Sequence, residues 1–265
     1  HIIIDGGSGG AFNQIRFTSM FSLHNTKNIQ IKKIKLRNHS DYDDMMHIIY
    51  CDNITVDQSE FFDAAGDSID SDISTNVRIT NSKFHNSAND AIDFMESEAL
   101  VDSSFIKGSN DKGISVGESS NILIYNTIFE KNNIGLAVKD KSKANIIHAN
   151  FTDNKIQLSS YRKNWQYGSG GSTYVYRSNF IAKDNYLEIS KESNLLIDDT
   201  SIIGKKKIKG ENVTIENVDF YDSSINGDNI YNKEITQSDI KLSHPMYFNV
   251  SSIKNKKRGF NNLEK

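Results

Sequence analysis

The chain has 265 residues, of which 37% are hydrophobic and 25% are charged, and its net charge at neutral pH is −3. This near-balance of charge predicts no general affinity for nucleic acid, and no apolar run is long enough to cross a membrane, so we expect neither a nucleic-acid partner nor a membrane span. The single cysteine, Cys51, excludes an intramolecular disulfide.

A nine-residue pattern recurs along the chain: Asn, apolar, any residue, apolar, three mostly polar residues, a spacer and a large apolar residue. Clear copies occupy residues 53–61, 76–84, 121–129 and 212–220. The large apolar residues that close the units are Leu36, Phe61, Phe84, Phe105, Phe129, Phe151, Phe180, Ile202 and Phe220. They lie 18 to 29 residues apart. A unit of this length is too small to bury its own apolar face, so the repeat predicts a stacked solenoid.

Each unit contains three short pieces that alternate apolar and polar residues, which is typical of half-buried strands; in one unit they are 76–79, 82–84 and 91–94. The corner between the first two pieces often holds Asn or Asp, which tolerate a left-handed backbone: Asn81, Asp102, Asn126, Asp199 and Asn217. The third pieces predict an inward column of Ile69, Ile92, Ile114, Leu136, Ile156 and Leu187. Leucine-rich repeats share the period, but the scarcity of Leu argues against them.

The three strands, the Asn-rich corner and the variable loops at the other corners resemble the right-handed parallel β-helix of pectate lyases and polygalacturonases over residues 20–225. The resemblance implies an all-β solenoid of about nine coils, and a secreted, periplasmic or cell-surface location. We expect residues 1–225 to form this β-helix and residues 226–265 to form a last coil, a cap or a tail. Because the chain opens inside the pattern, we expect native sequence to precede residue 1.

Charge concentrates on the third strands of the early coils. Two residues before the inward position stand Asp44, Asp67, Asp90 and Lys112, and one residue after it stand His47, Asp70, Asp93 and Ser115. Neighbouring strands lie about 4.8 Å apart, so these residues are expected to form two stacked columns. Later coils carry neutral or basic residues there: Ile134 and Ala137, then Lys155 and Gln157.

Stacked like charges need compensation by a divalent cation, by Lys112 or by raised carboxyl pKa values, because repulsion at this distance reaches about 3.5 kcal/mol at an effective dielectric near 20. A functional site, a structural calcium site and a solvated acidic face all remain open.

The resemblance to polygalacturonases extends to residues. That family carries Asn-Thr-Asp, Gly-Asp-Asp and Gly-His-Gly on successive coils, where this chain has Gly66-Asp67-Ser68-Ile69-Asp70, Asn89-Asp90-Ala91-Ile92-Asp93 and Lys112-Gly113-Ile114. Asp67 and Asp90 match family aspartates, which implies an acid and base pair for glycoside hydrolysis. However, Asn89 replaces an aspartate and Lys112 replaces the histidine.

The pectate-lyase-like families imply a different chemistry, in which calcium held by carboxylates acidifies a uronate proton that a lysine or arginine removes. Here the implied calcium ligands are Asp67, Asp70, Asp90 and Asp93, and the implied base is Lys112, with its pKa lowered beside the cation. The substrate would be an acidic polysaccharide or oligosaccharide. C5 epimerisation starts with the same proton abstraction, and a non-catalytic adhesin or phage-tail segment is a further alternative.

Other residues are candidates around the same groove. His47 is a possible second acid or base, and Lys139 is a further catalytic candidate at the edge of the groove. Asp44 and Glu118 are expected to contact substrate. The loop 161–171 contains the only Trp and two cations, and we expect it to contact sugar rings or carboxylates, unless it simply packs on the solenoid. Its substrate-binding candidates are Arg162, Trp165 and Tyr167.

Overall fold

The computed structural model describes residues 2–13, 15–40 and 43–221. Residues 226–265, which we predicted to form a last coil, a cap or a tail, lie outside the described residues. The described residues form 28 β-strands and one short 3-10 helix, Trp165–Tyr167. The prediction of an all-β chain is therefore confirmed for this part.

The strands in chain order are β1 (Ile2–Gly7), β2 (Gly10–Phe12), β3 (Ile15–Phe17), β4 (Ser19–His24), β5 (Lys27–Lys32), β6 (Ile34–His39), β7 (Asp44–Ile49), β8 (Asp52–Asp57), β9 (Glu60–Phe62), β10 (Asp67–Asp72), β11 (Val77–Thr80), β12 (Lys83–His85), β13 (Ile92–Met95), β14 (Glu98–Asp102), β15 (Phe105–Lys107), β16 (Lys112–Gly117), β17 (Asn121–Tyr125), β18 (Ile128–Glu130), β19 (Ile134–Lys139), β20 (Lys143–Ile147), β21 (Asn150–Thr152), β22 (Ile156–Tyr161), β23 (Ser172–Tyr176), β24 (Asn179–Ile189), β25 (Asn194–Asp198), β26 (Ser201–Lys209), β27 (Val213–Glu216) and β28 (Asp219–Tyr221).

Apart from β2 and β3, which form an antiparallel pair, these strands stack into a parallel β-helix. The first strands of the coils form one nine-stranded ladder, from β5 through β8, β11, β14, β17, β20, β23 and β25 to β27. Each coil then adds a second and a third strand, such as β12 and β13, whose partners are the equivalent strands one coil away. In the last coils the second and third strands merge into the long β24 and β26. The solenoid has about eight turns, close to the predicted nine, and its coils pair in parallel.

The core is a continuous column of stacked apolar side chains. The rings of Phe61 and Phe84 lie 4.8 Å apart and nearly parallel, and those of Phe129 and Phe151 lie 4.6 Å apart. The prediction that Phe105 belongs to this column is wrong, because Ile106 pairs with both Phe84 and Phe129 and is fully buried. A shift of one residue reverses the side-chain direction, which turns Phe105 outward.

The inward column of the third strands also differs from the prediction in one coil. Leu158, not Ile156, pairs with Leu136 on one side and with Leu187 on the other. Ile156 therefore continues the outward column that contains Lys112 and Ile134. Its neighbour in the second outward column is Ser159, so the expected Lys155 and Gln157 do not occupy these positions. Both columns are still uncharged in this coil.

The corners between the first and second strands adopt a left-handed backbone, as the Asn and Asp residues predicted. The φ angles are 50° at Asn81, 47° at Asn126, 44° at Asp199 and 49° at Asn217. In the remaining predicted corner the left-handed residue is Ser103 rather than Asp102. Side chains at these corners bond from coil to coil, as where Asn126 donates to Ser103 Oγ at 3.1 Å. These stacked polar corners help to fix the register of the coils.

Candidate functional site

The first outward column of the third strands is buried although it is charged. Asp44 pairs with Asp67, and the register places Asp90 and Lys112 on the next two coils, as predicted. Exposed fractions are 1% for Asp44, 7% for Asp67, 2% for Asp90 and 7% for Lys112. A solvated acidic face is therefore not what the structure shows, since carboxylates are rarely buried this deeply without partners.

Two of these aspartates are tied to the coil that follows them. Asp67 Oδ1 accepts hydrogen bonds from the backbone N–H of Asp90 and from the Asn89 side chain, both at 2.7 Å. Asp90 Oδ1 accepts the backbone N–H of Lys112 at 2.8 Å and lies 3.3 Å from its Nζ. The Lys112 ammonium also contacts the Asp111 carboxylate. Lys112 therefore supplies one of the predicted forms of compensation for the buried charge.

Raised carboxyl pKa values supply another. Burial, reinforced by the charges of Asp43 and Asp67, raises the pKa of Asp44 to about 8. Burial and the neighbouring Asp90 raise the pKa of Asp67 to about 8. For Asp90, burial is partly opposed by Lys112, and its pKa rises only to about 6. With the protein's own groups alone, some of these carboxyls hold protons at neutral pH.

The second outward column brings His47, Asp70, Asp93 and Ser115 together in register, as predicted. Burial and the charges of Asp72 and Asp44 raise the pKa of Asp70 to about 10. His47 Nε2 lies 3.1 Å from Asp72 Oδ2 and 3.7 Å from Asp70 Oδ2. His47 is thus part of the acidic cluster rather than an isolated surface residue.

The predicted set of four metal-binding aspartates divides between two groups. Donor atoms of Asp67, Asp90 and Asp93 lie within 4.8 Å of one another, whereas Asp70 falls into a separate group with Asp44 and His47. The first group fits calcium, because its three donors are carboxylates and the buried Asp93 Oδ1 accepts no hydrogen bond. Asp70 lies on the same strand as Asp67 and pairs in register with Asp93, but its carboxylate is grouped with His47 of the preceding coil, 3.7 Å from Nε2.

A third outward column, two residues further along the strands, is not evident from the sequence pattern. It places Asp72, Met95, Gly117, Lys139 and Tyr161 one above another. A Cβ atom at Gly117 would lie 2.5 Å from Lys139 Cε, so this glycine makes room for the lysine stem. With Leu158 at the inward position of the sixth coil, the repeat pattern itself predicts that Tyr161 follows Lys139.

The two lysines of the site are buried beside carboxylates. Burial lowers the pKa of Lys112, but Asp90 and Asp111 outweigh burial and raise it above the usual range. The same balance, with Asp93 as the main counter-charge, raises the pKa of Lys139, whose Nζ lies 4.0 Å from Asp93 Oδ1. The direction for Lys112 is opposite to the lowered pKa expected beside a cation.

Glu118 and Tyr161 complete the surroundings of these lysines. Burial raises the pKa of Glu118, and Lys139 opposes this rise. Burial likewise raises the pKa of Tyr161, while Lys112 and Lys139 both act to lower it. Tyr161 therefore lies within the electrostatic reach of both lysines and is a phenol that holds its proton at neutral pH.

The loop after β22 is anchored to the solenoid but leaves its Trp free. Asp140 Oδ1 accepts the backbone N–H groups of Lys163 and Asn164, both at 2.7 Å. Arg162 pairs with Glu192 at 3.3 Å, so its charge is already partly compensated. The Tyr167 hydroxyl lies 3.3 Å from Glu96, which directly follows β13. Trp165 is 83% exposed.

A cleft of about 440 Å³ adjoins this arrangement on the later coils. Its lining comes from β19, β22, β24, β26 and the turn after β24: Ile134, Ile156, Ser159, Ser160, Tyr161, Glu188, Ile189, Ser190 and Lys209. Because Ile134 pairs with Lys112 and Tyr161 lines the cleft, the cleft begins where the acidic column ends. It provides room for a ligand longer than the charged cluster itself.

Among the described residues, no helix has the length and apolarity that crossing a bilayer requires. No curated protein matches the chain significantly in sequence.

Several solved structures share the fold at low sequence identity. An exopolygalacturonase from Thermotoga maritima is 16% identical with a TM-score of 0.53, and the match covers 75% of this chain and 55% of that one. An alginate lyase from Paenibacillus sp. str. FPU-7 is 13% identical with a TM-score of 0.61 over 80% of this chain and 79% of the lyase. A periplasmic alginate epimerase is 8% identical with a TM-score of 0.50, over 75% and 74% of the two chains. The chain thus spans just over half the length of the exopolygalacturonase.

The amino-acid sequence also matches a model of a protein family. A family model described as a right handed beta helix region matches residues 19–185, which is more than half of the chain. Those residues run from the start of β4 into β24 and include both charged columns. The protein therefore belongs to the right-handed β-helix family.

Proposed function

We propose that the protein is a polysaccharide-acting enzyme that removes the C5 proton of a uronate in an acidic polysaccharide, as a calcium-assisted lyase or C5-epimerase. The observation that carries the proposal is the buried outward column of Asp44, Asp67 and Asp90, which ends in Lys112. Folds shared with an alginate lyase and an alginate epimerase support the choice of substrate class. Such a substrate would be met outside the cytoplasm.

The fold itself does not require these charges. One coil after Lys112 the equivalent positions hold Ile134 and Ala137, and the ladder continues without interruption. Buried like charges destabilise a folded chain unless they are compensated, so the column costs stability that apolar residues would not. Buried charged groups of this kind concentrate at functional sites, which favours a functional site over a purely structural role in the repeat.

Asp67, Asp90 and Asp93 would hold the calcium ion, with waters and substrate oxygens completing its shell. When bound, the ion would neutralise a uronate carboxylate and acidify the adjacent C5–H bond. The protein's own contribution is to fix three carboxylates within 4.8 Å of one another and to exclude bulk water from two of them.

Lys112 is the proposed base. Its ammonium is held by Asp90 and Asp111, and burial acts in the opposite direction, towards the neutral amine. Compensation of the charge of Asp90 would remove the largest influence that raises the pKa of Lys112, and the pKa would then move towards the range a base needs. Lys139 lies on the next coil beside Asp93 and is the second cation that could face a uronate carboxylate.

The step balances with groups that line the site. The neutral Lys112 amine takes the C5 proton, and the electron pair of that bond forms the C4–C5 double bond while the C4–O4 bond breaks. In this proposal the Tyr161 hydroxyl would give its proton to the departing O4. In epimerisation the C4–O4 bond stays intact and a proton returns to C5 from the opposite face.

Substrate contacts are proposed on both sides of the column. Glu118 would accept hydrogen bonds from sugar hydroxyls when it is ionised, whereas Asp44, expected from the sequence to contact substrate, is only 1% exposed and too deeply buried for such a contact. Trp165 offers an exposed ring to a sugar face, and Tyr167 borders the same side through its contact with Glu96. Arg162 would have to exchange its bond to Glu192 for a uronate carboxylate.

A glycoside hydrolase is the second candidate, because one observation favours it. The pKa values of Asp67 and Asp90 rise to about 8 and about 6, so near neutrality one carboxyl is protonated while the other is mostly ionised. A glycosidase needs such a pair, with a protonated carboxyl as the general acid and an ionised one as the base.

A panel of polyuronates distinguishes these chemistries. With calcium present, a lyase produces unsaturated uronates that absorb in the ultraviolet, whereas a hydrolase produces reducing ends without that absorbance and without a need for calcium. An epimerase changes the sugar composition with no chain cleavage. Saturable binding of a polyuronate with no product of any kind would contradict the proposal and indicate a non-catalytic binding protein.

A further inference from the structure

A second cluster of donor atoms lies beside the proposed calcium ligands and shares no residue with them. It consists of Asp44, His47 and Asp70, whose donor atoms lie within 4.8 Å of one another. His47 Nδ1 is 4.0 Å from Asp44 Oδ2, and His47 Nε2 is 3.7 Å from Asp70 Oδ2. The register offsets this cluster by one coil from the Asp67, Asp90 and Asp93 group.

Asp44 has an unusual environment within its own column. It is 1% exposed, and neither of its carboxylate oxygens accepts a hydrogen bond. Asp67 and Asp90 each accept the backbone N–H of the next coil. The equivalent N–H, that of Asp67, instead donates to the Asp43 carbonyl oxygen at 3.1 Å. Because the N–H of Asp67 is already bonded, the buried carboxyl group of Asp44 has no backbone donor. Its capacity to accept hydrogen bonds is unused on the side of His47 and Asp70.

The imidazole of His47 is held in position by its surroundings. Thr18 Oγ1 lies 3.4 Å from Nδ1, and Asp72 Oδ2 lies 3.1 Å from Nε2. The ring also packs edge-on against His24, with ring centroids 5.7 Å apart. Histidines that ligate metals commonly bond through their second ring nitrogen to a carboxylate or another acceptor, and Asp72 or Thr18 can serve in that way.

We propose that Asp44, His47 and Asp70 form a second cation site, which takes a transition-metal ion such as Zn²⁺ in preference to Ca²⁺. The nitrogen donor of His47 sets the preference for zinc. Imidazole binds zinc and other divalent transition metals well, whereas calcium selects sites made of oxygen atoms. Two carboxylates and one imidazole are a ligand set that zinc accepts, with an open position left for water or another donor. The ion would bind the carboxylate oxygens of Asp44, which accept no hydrogen bond from the protein.

The site stands on geometry and does not depend on the proposed enzymatic reaction. Its test is therefore binding of metal alone. Chelator-treated full chain is titrated with Zn²⁺ by calorimetry, in the presence and absence of a hundredfold excess of Ca²⁺. One saturable site that calcium does not displace is the expected result.

Variants locate the ion. His47→Gln and Asp44→Asn should each weaken Zn²⁺ binding by more than the roughly 10- to 100-fold that loss of an outer hydrogen-bond partner causes. Asp90→Asn is the matched control from the neighbouring group and should leave Zn²⁺ affinity within about threefold of the wild type. Zn²⁺ binding that is lost in Asp90→Asn but retained in His47→Gln would overturn the assignment.

A measurement on the unmodified protein covers the possibility that a variant fails to fold. Co²⁺ bound to a site with one imidazole and two carboxylates gives visible absorption bands that Zn²⁺ removes on displacement. Bands that appear and are competed by Zn²⁺ but not by Ca²⁺ support the site. An absence of saturable binding of both Zn²⁺ and Co²⁺ to the wild type would refute it.

Discussion

Replacement of Asp44 by Asn should stabilise the metal-free protein at alkaline pH. Asn has nearly the shape of the protonated carboxyl and removes the charge that burial opposes. The pKa of Asp44 rises from 3.8 to about 8 in the folded chain, mainly through burial and then through Asp43 and Asp67. The unfolded chain releases this proton near pH 4, but the folded chain keeps it until about pH 8.

The sign and size of the effect follow from that difference. Between these pH values the folded state binds more protons than the unfolded state, so its stability falls as pH rises. At about 1.4 kcal/mol per pH unit, four units give a ceiling of roughly 6 kcal/mol at pH 8. Neighbouring aspartates can hold the proton in place of Asp44, so a gain of a few kcal/mol is expected for Asp44→Asn.

Urea unfolding in chelator at pH 4.5 and pH 8, followed by far-ultraviolet circular dichroism, measures this gain. These two values are chosen as roughly the ends of the window between the unfolded and folded pKa. Wild type and Asp44→Asn should be similar in stability at the lower pH and diverge at the higher one. Other carboxyl groups, such as Asp5, whose pKa is lowered by Arg37, also make stability depend on pH. Their contribution is the same in both proteins and cancels in the comparison. Equal stability of the two proteins at pH 8 would refute the inference that Asp44 is a buried, uncompensated acid.

Four further predictions follow from the same structure. Calcium at a hundredfold excess over its dissociation constant should stabilise the protein by about 2.7 kcal/mol, seen as a rise in Tm, and Asp90→Asn combined with Asp93→Asn should abolish that rise. Lys112→Ala should lower the rate on a polyuronate by a factor of about 10² to 10⁴ yet retain the calcium-dependent Tm shift, and an unchanged rate would show that the lysine is a bystander. Phe84→Ala should destabilise the fold by about 3 to 5 kcal/mol in urea unfolding, because its fully buried ring stacks on Phe61; a loss below about 1 kcal/mol would contradict a tightly packed column. Trp165→Ala should leave Tm unchanged, since the ring is exposed, but raise KM for the polysaccharide; an unchanged KM would remove Trp165 from the substrate site.

The coil architecture was predictable because the period is carried by many residues at once. Alternating apolar positions and left-handed corners recur in each unit, so single deviations do not obscure the pattern. The same redundancy placed Asp67 beside Asp90 and Asp70 beside Asp93 in the correct register. Register errors arose where the local spacing was ambiguous. Phe105 and Ile106 are adjacent apolar residues, and only pairing with both neighbouring coils shows that Ile106 faces inward.

The composition of the site was less predictable than its position. Sequence gives the column of a residue, but not the diagonal contacts between columns, which depend on side-chain rotamers. For this reason the expected four-aspartate set divided, and Asp70 joined Asp44 and His47. The raised pKa of Lys112 depends first on Asp90 and then on Asp111, a loop residue whose side-chain direction the repeat does not specify. The sequence does not show that Tyr161 stacks on Lys139, because Ile156 and Leu158 are both apolar and only the pairing of Leu158 with Leu136 fixes the register of the sixth coil.

Proton abstraction at C5 of a uronate is the central claim, and proton exchange tests it most directly. A polyuronate is incubated with the calcium-loaded protein in D₂O, and the H5 signals are followed by NMR. Loss of H5 intensity, through formation of a C4–C5 double bond or through deuterium incorporation, is predicted for the wild type and should be absent in Lys112→Ala. New reducing ends that form while every H5 proton is retained would contradict the claim and indicate hydrolysis instead.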